Sequence, residues 1–216
     1  MNIGSYSYEE YVHLVKSFHG NLAPGLIIGG FMVDLALKEL PEGELFDAMC
    51  ETPVCLPDAV QILTPCTIGN GWLKIVHFGR FALSLYEKNE GQGVRVYLDP
   101  ARLDPWMEIK NWFFKLKPKK EQDAQMLLDQ IKEAGHDILS LQKVQVHSQF
   151  LQKRSLGQTA ICSLCGEAYP ARDGSLCLAC QGETCYTGIQ KVIKGLSNTT
   201  ERLDGRRASA SPVTSS

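Results

Sequence analysis

Four cysteines in two closely spaced pairs decide the fold of the C-terminal part of the chain, in the segment CSLCGEAYPARDGSLCLAC, residues 162–180. Each Cys-x2-Cys pair lets one tight backbone turn supply two sulfurs, and two such turns complete a tetrahedral zinc site. The spacing therefore predicts a structural zinc bound by Cys162, Cys165, Cys177 and Cys180. Reduced core cysteines or disulfides are the alternative interpretation, and this spacing makes it the weaker one.

The residues around these cysteines predict the rest of a small module. Gly166 directly follows the first pair, as in a zinc knuckle, and residues 168–175 are predicted to form a short hairpin. The second pair leads into apolar residues at helical spacing, from Ile189 to Leu196. Knuckle, hairpin and helix in this order indicate a treble clef. Cys185 is a fifth thiol that we do not expect to be a ligand.

Length and composition predict three regions. A chain of 216 residues with 44% hydrophobic and 21% charged residues has ordinary globular composition, and it can hold one mid-sized domain plus a small module. We assign residues 1–150 to an α+β core domain and residues 151–196 to the zinc module. Residues 197–216 are almost without apolar side chains, so they are predicted to form a disordered tail.

The distribution of charged and apolar residues indicates where the protein is located in the cell and which classes of partner it can bind. The N-terminus lacks the basic flank and apolar run of a secretory signal, and the longest apolar stretch, residues 26–40, is interrupted by charges and is too short to span a bilayer. A cytoplasmic protein with no membrane partner is therefore expected, and zinc-ligand cysteines fit its reducing environment. The net charge is −2 overall, with +3 in residues 151–216 and −5 in residues 1–150, so nucleic-acid binding is not expected.

Apolar periodicity predicts an α+β core in which helices pack on an antiparallel sheet. The predicted helices cover residues 8–18, 26–40, 56–63, 105–116 and 119–135. The predicted strands cover residues 45–52, 72–78, 80–88 and 94–98, with one more around residues 144–146, and the runs from 72 to 98 suggest an antiparallel meander.

Three segments of the core place chemically active side chains beside turns or helix starts: HGNLAPG at 19–25, CLPDAVQ at 55–61 and TPCTIGNG at 64–71. In this order they resemble the FmdE family, the E subunits of formylmethanofuran dehydrogenase. The pattern of that family is a His-Gly-His-x-Cys-Pro-Gly loop before an apolar helix, then Cys-x2-Asp-Ala-(Ile/Val)-Gln, then Cys-Thr-x-Gly-(Lys/Asn)-Gly. The resemblance covers about residues 10–150, and some members end in a treble-clef zinc finger.

The resemblance implies a homodimer and a core site built from the matching positions. It implies a catalytic role for His19, Cys55 and Cys66, and a ligand-binding role for Asp58, Gln61 and Asn21. Asn21 stands where the family usually has a second His and Ala23 where it usually has Cys. Asn is a poor ligand for a soft divalent metal and Ala is none, so any second metal in the core is expected to bind more weakly than the zinc.

Three functions compete at this point. The leading hypothesis is a zinc-binding accessory protein whose core binds a metal or small ligand. Its role would lie in one-carbon, methanogenesis-related or molybdenum/tungsten-enzyme metabolism, and its candidate partner is an oxidoreductase complex. The second is an enzyme that uses Cys66 or Cys55 as nucleophile and His19 as base. The third is a regulatory protein that binds nucleic acid or protein through the zinc module.

Overall fold

A computed structural model describes residues 1–40, 45–152 and 157–187. The chain divides after Lys153 into a larger N-terminal unit and a smaller C-terminal unit. The helices and strands of the larger unit are, in chain order, β1 Asn2–Ile3, β2 Tyr6–Ser7, α1 Tyr8–His19, α2 Pro24–Lys38, β3 Phe46–Cys50, α3 Leu56–Leu63, β4 Leu73–Ile75, β5 Ala82–Glu87, β6 Gln92–Leu98, α4 Met107–Phe113, α5 Ala124–Ala134, β7 Leu139–Gln145 and α6 Ser148–Leu151.

Helix α2 is the centre of the core. Pro24 occupies its first turn, where a missing N–H costs nothing, and eleven of its fifteen residues are buried. Two glycines allow its close contacts: a Cβ on Gly29 would meet the Ala59 side chain at 2.8 Å, and one on Gly30 would overlap the Tyr11 ring. The glycine pair therefore brings α1 and α3 against the α2 backbone.

The central sheet has five strands in the order β4-β3-β5-β6-β7. Strands β3, β5, β6 and β7 pair antiparallel, with Ala48 opposite Leu85 and Val96 opposite Leu141. Alternate apolar residues of these strands, among them Leu83 and Val94, are buried against the helices. The predicted α+β class is confirmed.

The sheet is mixed, so the prediction of a wholly antiparallel sheet and of a meander through residues 72–98 was wrong at one strand. Strand β4 pairs parallel to β3, with Met49 opposite Lys74, and it is not a neighbour of β5. The reason is helix α3, which lies between β3 and β4 in the chain. It returns the chain so that β4 runs in the same direction as β3, as a βαβ crossover does.

The predicted helices all exist, with shorter bounds at α4 and α5. Helix α1 begins with a capping box, in which Ser7 and Glu10 satisfy each other's backbone N–H groups. Helix α5 begins later than predicted because the Asp123 side chain accepts a hydrogen bond from the Met126 N–H and caps it there. Among the described residues, no helix is long and apolar enough to cross a membrane.

The smaller unit contains a two-stranded antiparallel ribbon formed by β8 Thr159–Ile161 and β9 Ala168–Pro170. The predicted hairpin over residues 168–175 is corrected: the two strands flank the first knuckle, and a 3₁₀ turn at Ala171–Asp173 follows β9. Pairing across the knuckle makes the six residues 162–167, which include the metal-binding turn, the hairpin loop. The predicted helix over residues 189–196 and the predicted tail over residues 197–216 lie outside the described residues.

Candidate functional site

The C-terminal unit gathers four cysteine sulfurs into one group. The Sγ atoms of Cys162, Cys165, Cys177 and Cys180 all lie within 4.8 Å of one another, and those of Cys165 and Cys177 are 3.8 Å apart. Sulfurs about 2.3 Å from a tetrahedral zinc are roughly 3.8 Å apart, so the spacing fits the ion. Gly166 supports the first turn in the left-handed region, with φ +75°, and its N–H donates to the Cys162 carbonyl.

The electrostatics of these thiols also fit a cation. Backbone N–H groups, first that of Cys165 and then that of Cys177, lower the pKa of Cys162 to about 6. A hydrogen bond with the Cys177 side chain, and then burial, raises the pKa of Cys180 to about 12, because both favour the protonated thiol. A divalent ion displaces these protons and holds all four sulfurs as thiolates. The module therefore carries a structural zinc site, and Cys185, which is exposed, lies outside the four-sulfur group.

In the core, the structure joins His19 to Asp58. His19 is the last residue of α1, which ends because Gly20 takes a left-handed conformation, and Asp58 lies in the first turn of α3. The His19 Nδ1 is 2.8 Å from the Asp58 Oδ2, and each side chain is 31% exposed. A carboxylate that accepts from Nδ1 fixes the imidazole tautomer and leaves Nε2 available as a metal ligand or base.

Cys55 directly precedes α3, three residues before Asp58. It has φ +61°, a conformation that is rare for residues other than glycine, and it precedes the helix without capping it through its side chain. A Cβ on Gly25 would meet the Cys55 Sγ at 2.9 Å and the Phe81 ring at 3.4 Å. The loop that carries Asn21 and Ala23 therefore ends against the Cys55 thiol.

Cys66 has different neighbours. Its thiol is fully buried and donates to the Phe46 carbonyl at 3.6 Å, while its N–H donates to the Thr64 hydroxyl at 3.0 Å. Burial raises the pKa of the Cys66 thiol, and its charged neighbours are Asp47 and Lys88. Among the described residues, the hydrogen bonds of Cys66 are formed with Phe46 and Thr64, and none is formed with His19.

The remaining predicted residues have peripheral positions. The Gln61 Oε1 accepts a hydrogen bond from the Ile68 N–H at 3.3 Å and so braces the loop after α3, and Asn21 is exposed. Among the described residues, the four C-terminal cysteines are the one group of three or more His, Cys, Asp or Glu ligand atoms close enough for a metal. In the core the structure pairs His19 with Asp58, and Cys55 lies three residues before Asp58 at the start of α3; these three side chains do not themselves form such a ligand group.

Sequence reasoning missed the residues that support these side chains. Tyr11 is fully buried and donates to the Leu26 carbonyl at 2.9 Å, which ties α1 to the start of α2. Around Cys66, the Lys74 ammonium contacts the Asp47 carboxylate and the Tyr86 hydroxyl, each at 3.2 Å. The strands alternate in polarity at these positions, but nothing in the sequence indicates that they pair with each other.

Comparison with known proteins agrees with this geometry. Residues 18–148 match the family model described as "FmdE, Molybdenum formylmethanofuran dehydrogenase operon", and residues 153–187 match the "FmdE treble clef zinc finger". A crystal structure of a tungsten formylmethanofuran dehydrogenase FmdE-like protein from Syntrophus aciditrophicus is 58% identical, with a TM-score of 0.80, and the match covers 86% of this chain and 97% of that one.

A relative from Archaeoglobus fulgidus, named a probable S-adenosyl-L-methionine-binding protein, is 29% identical over 188 residues. That match covers 77% of this chain but 51% of the relative, so this chain spans about half of the relative's length. The family matches together cover both described units and confirm the resemblance carried by the three core motifs and the cysteine spacing. The chain belongs to the FmdE family and carries its treble-clef zinc finger.

Proposed function

We propose that the core binds a transition-metal ion through His19 and Cys55, and that the protein serves as an accessory protein in one-carbon or molybdenum/tungsten-enzyme metabolism. The observation that carries the proposal is the 2.8 Å contact between His19 Nδ1 and Asp58, which leaves Nε2 available, while the Cys55 thiol precedes the same helix that carries Asp58. The His19 and Asp58 side chains are about one-third exposed, so a ligand can reach them from solvent.

The donor set suits a borderline or soft divalent metal. Imidazole nitrogen and thiolate sulfur are the ligands that zinc, cobalt and nickel accept readily, and a carboxylate behind the imidazole strengthens it as a ligand. Asn21 and Ala23 supply no further soft donors from the adjoining loop. Two ligands leave positions open for a small molecule or for a partner protein, which suits an accessory role better than a closed structural site.

The thiol chemistry argues against the alternative of a cysteine-dependent enzyme. Burial raises the pKa of Cys55, and the nearby charge of Asp58 raises it further. The pKa of Cys66 is also raised by burial. A nucleophilic cysteine needs a lowered pKa to be a thiolate near neutral pH, whereas a bound metal displaces the proton of a thiol directly. The raised pKa of Cys55 therefore favours a role as a metal ligand over a role as a nucleophile.

Assembly, location and partners belong to the same proposal. We infer a homodimer because the resemblance to the family implies one, and a cytoplasmic location because zinc-binding thiols fit a reducing environment. An oxidoreductase complex is the partner class that the family description suggests. The name of the Archaeoglobus fulgidus relative adds S-adenosylmethionine as a competing ligand of the core, and the experiment includes it.

The test uses Co²⁺ added to protein whose C-terminal site is already filled with zinc. Thiolate coordination of Co²⁺ produces an intense near-ultraviolet charge-transfer band, which we expect for the parent protein. Cys55→Ser should abolish this band, His19→Ala should weaken Co²⁺ binding, and Cys66→Ser should leave both unchanged as the matched control. A band that survives Cys55→Ser and disappears in Cys66→Ser contradicts the proposal. S-adenosylmethionine binding that requires His19, with no cobalt band, supports the competing ligand instead.

A further inference from the structure

Helix α4 and the segment that follows it carry exposed apolar side chains and lysines. Met107, Phe114 and Leu116 are 56%, 44% and 60% exposed. Met107 and Phe114 are seven residues apart, which places them on one side of the helix two turns from each other. Lys115, Lys119 and Lys120 are exposed, and none of them has an ion pair with the described residues. These six residues are called the 107–120 patch.

Two residues of the patch are not the ones that would make the end of helix α4 most stable. Helix α4 ends in a Schellman motif: the Leu116 N–H donates to the Asn111 carbonyl at 2.9 Å, and the Lys115 N–H donates to that of Trp112 at 3.4 Å. Lys115 has φ +55°, at the position where glycine is favoured. Leu116 would ordinarily pack back on the helix, but its partner position is the polar Asn111. A lysine and an exposed leucine thus occupy positions where other residues would give greater local stability, which is typical of functional surfaces.

The side chains of the 107–120 patch favour a lipid surface as its binding partner. The patch has lysines and no arginine, and lysine is depleted in protein–protein interfaces, where arginine is enriched. Lysines beside exposed apolar side chains suit the headgroup region of an anionic bilayer, where each lysine contributes attraction and the apolar groups insert. Lys117 is held by Glu108 at 3.1 Å, and Asp123 caps α5, so both are engaged within the protein. Glu121 borders the patch and reduces its charge.

We propose that the 107–120 patch binds the surface of an anionic lipid bilayer peripherally. The absence of a spanning helix among the described residues does not bear on such binding, because the apolar side chains enter only the headgroup region. This inference is independent of the core metal site, since it uses none of that site's residues.

Co-sedimentation with sucrose-loaded vesicles tests the proposal. We compare vesicles of phosphatidylcholine alone with vesicles that contain about one-third phosphatidylglycerol, at low salt. A lysine near an anionic surface contributes about a fivefold gain in binding, so changing Lys115, Lys119 and Lys120 to Gln should weaken binding to the anionic vesicles about 100-fold. Changing Lys16, Lys132 and Lys143 to Gln, outside the patch, is the matched control and should have a much smaller effect. High salt should also release the protein.

A single variant separates binding from folding. Lys115→Gly should raise the midpoint of urea unfolding, because glycine adopts the left-handed conformation without steric cost, and should still weaken vesicle binding about fivefold. The proposal is overturned if the parent protein does not bind anionic vesicles at low salt, or if the triple patch variant binds them as well as the control variant. Binding of an acidic protein or of single-stranded RNA through the patch, without vesicle binding, overturns it as well.

Discussion

Replacing Asp34 by Ala should destabilise the core strongly, because one buried carboxylate holds three elements together. Asp34 lies in α2 with a side chain that is 5% exposed. It accepts a hydrogen bond from the Gly4 N–H at 2.9 Å and pairs with the Lys38 ammonium at 2.6 Å and with His136 at 2.7 Å. The N-terminal ribbon and the segment after α5 are therefore both attached to α2 through this residue.

The loss of unfolding free energy can be worked out from the environment in which each partner of Asp34 is left when the carboxylate is removed. Lys38 is 60% exposed, so its ammonium returns to water at little cost. The buried His136 Nε2 loses the carboxylate beside it, and an unsatisfied buried donor costs about 1–3 kcal/mol. Gly4 is exposed, so the hydrogen bond from its N–H contributes only about 1 kcal/mol. We expect a total loss of about 3 kcal/mol. With a urea dependence of about 2 kcal/mol per molar, the unfolding midpoint should fall by about 1.5 M.

The pH dependence provides a second measurement of the same contact. Burial by itself raises the pKa of Asp34, but the hydrogen bonds from His136, Lys38 and Gly4 outweigh it, so the pKa is lowered overall. A lowered carboxyl pKa means that the stabilisation is present above the unfolded pKa of about 3.9 and is lost as the pH falls through the folded value. The difference between parent and Asp34→Ala should therefore shrink in acid below about pH 4.

Tryptophan fluorescence during urea unfolding reports this quantity, because all three tryptophans, Trp72, Trp106 and Trp112, lie in the larger unit. Asp104→Ala is the matched control: its carboxylate also pairs with a lysine, Lys110, but is 77% exposed, so the midpoint should not move. A loss below about 1 kcal/mol for Asp34→Ala would refute the reasoning, because that is the size of a solvent-exposed contact.

Three further predictions test other parts of the molecule. Cys177→Ser should release the structural zinc and unfold residues 160–187 while the core keeps its urea midpoint, which zinc analysis and limited proteolysis would detect; zinc retained in full by the variant would contradict the ligand assignment. Gly25→Ala should weaken Co²⁺ binding in the core, since the new Cβ would displace the Cys55 thiol, whereas Gly69→Ala, which meets no atom closer than 3.9 Å, should not. Light scattering at micromolar concentration should give the mass of a dimer, and a monomer mass would rule out the proposed homodimer.

Local sequence signals predicted the zinc module and most of the elements. The cysteine spacing identified four sulfurs that do converge, because a Cys-x2-Cys turn fixes the geometry of its two ligands by itself. The Gly29-Gly30 pair is a second local signal, because glycine in a helix interior costs stability unless a neighbour needs the space, and here α1 and α3 occupy that space. Both signals are contained within a few residues of chain.

The features that depend on distant residues could not be predicted in this way. The parallel pairing of β3 with β4 follows from how α3 returns the chain, and the apolar pattern of β4 is the same for either direction. The predicted grouping of His19, Cys55 and Cys66 came from motif order alone. His19 contacts Asp58, while the contacts of Cys66 lie with Phe46 and Thr64, a division that only tertiary packing sets.

The core metal site is tested most directly by restoring the two donors that this chain lacks. Because the loop of residues 19–25 ends against the Cys55 thiol, Asn21→His together with Ala23→Cys should add an imidazole and a thiolate beside His19 and Cys55. Metal analysis after growth and purification in excess zinc, followed by dialysis, should give about one zinc per chain for the parent, held in the four-cysteine module, and a value approaching two for the double variant. The same Asn21→His, Ala23→Cys protein carrying Cys55→Ser should return toward one. If the double variant holds no more zinc than the parent, the residues do not converge on a core metal and the proposed function is contradicted.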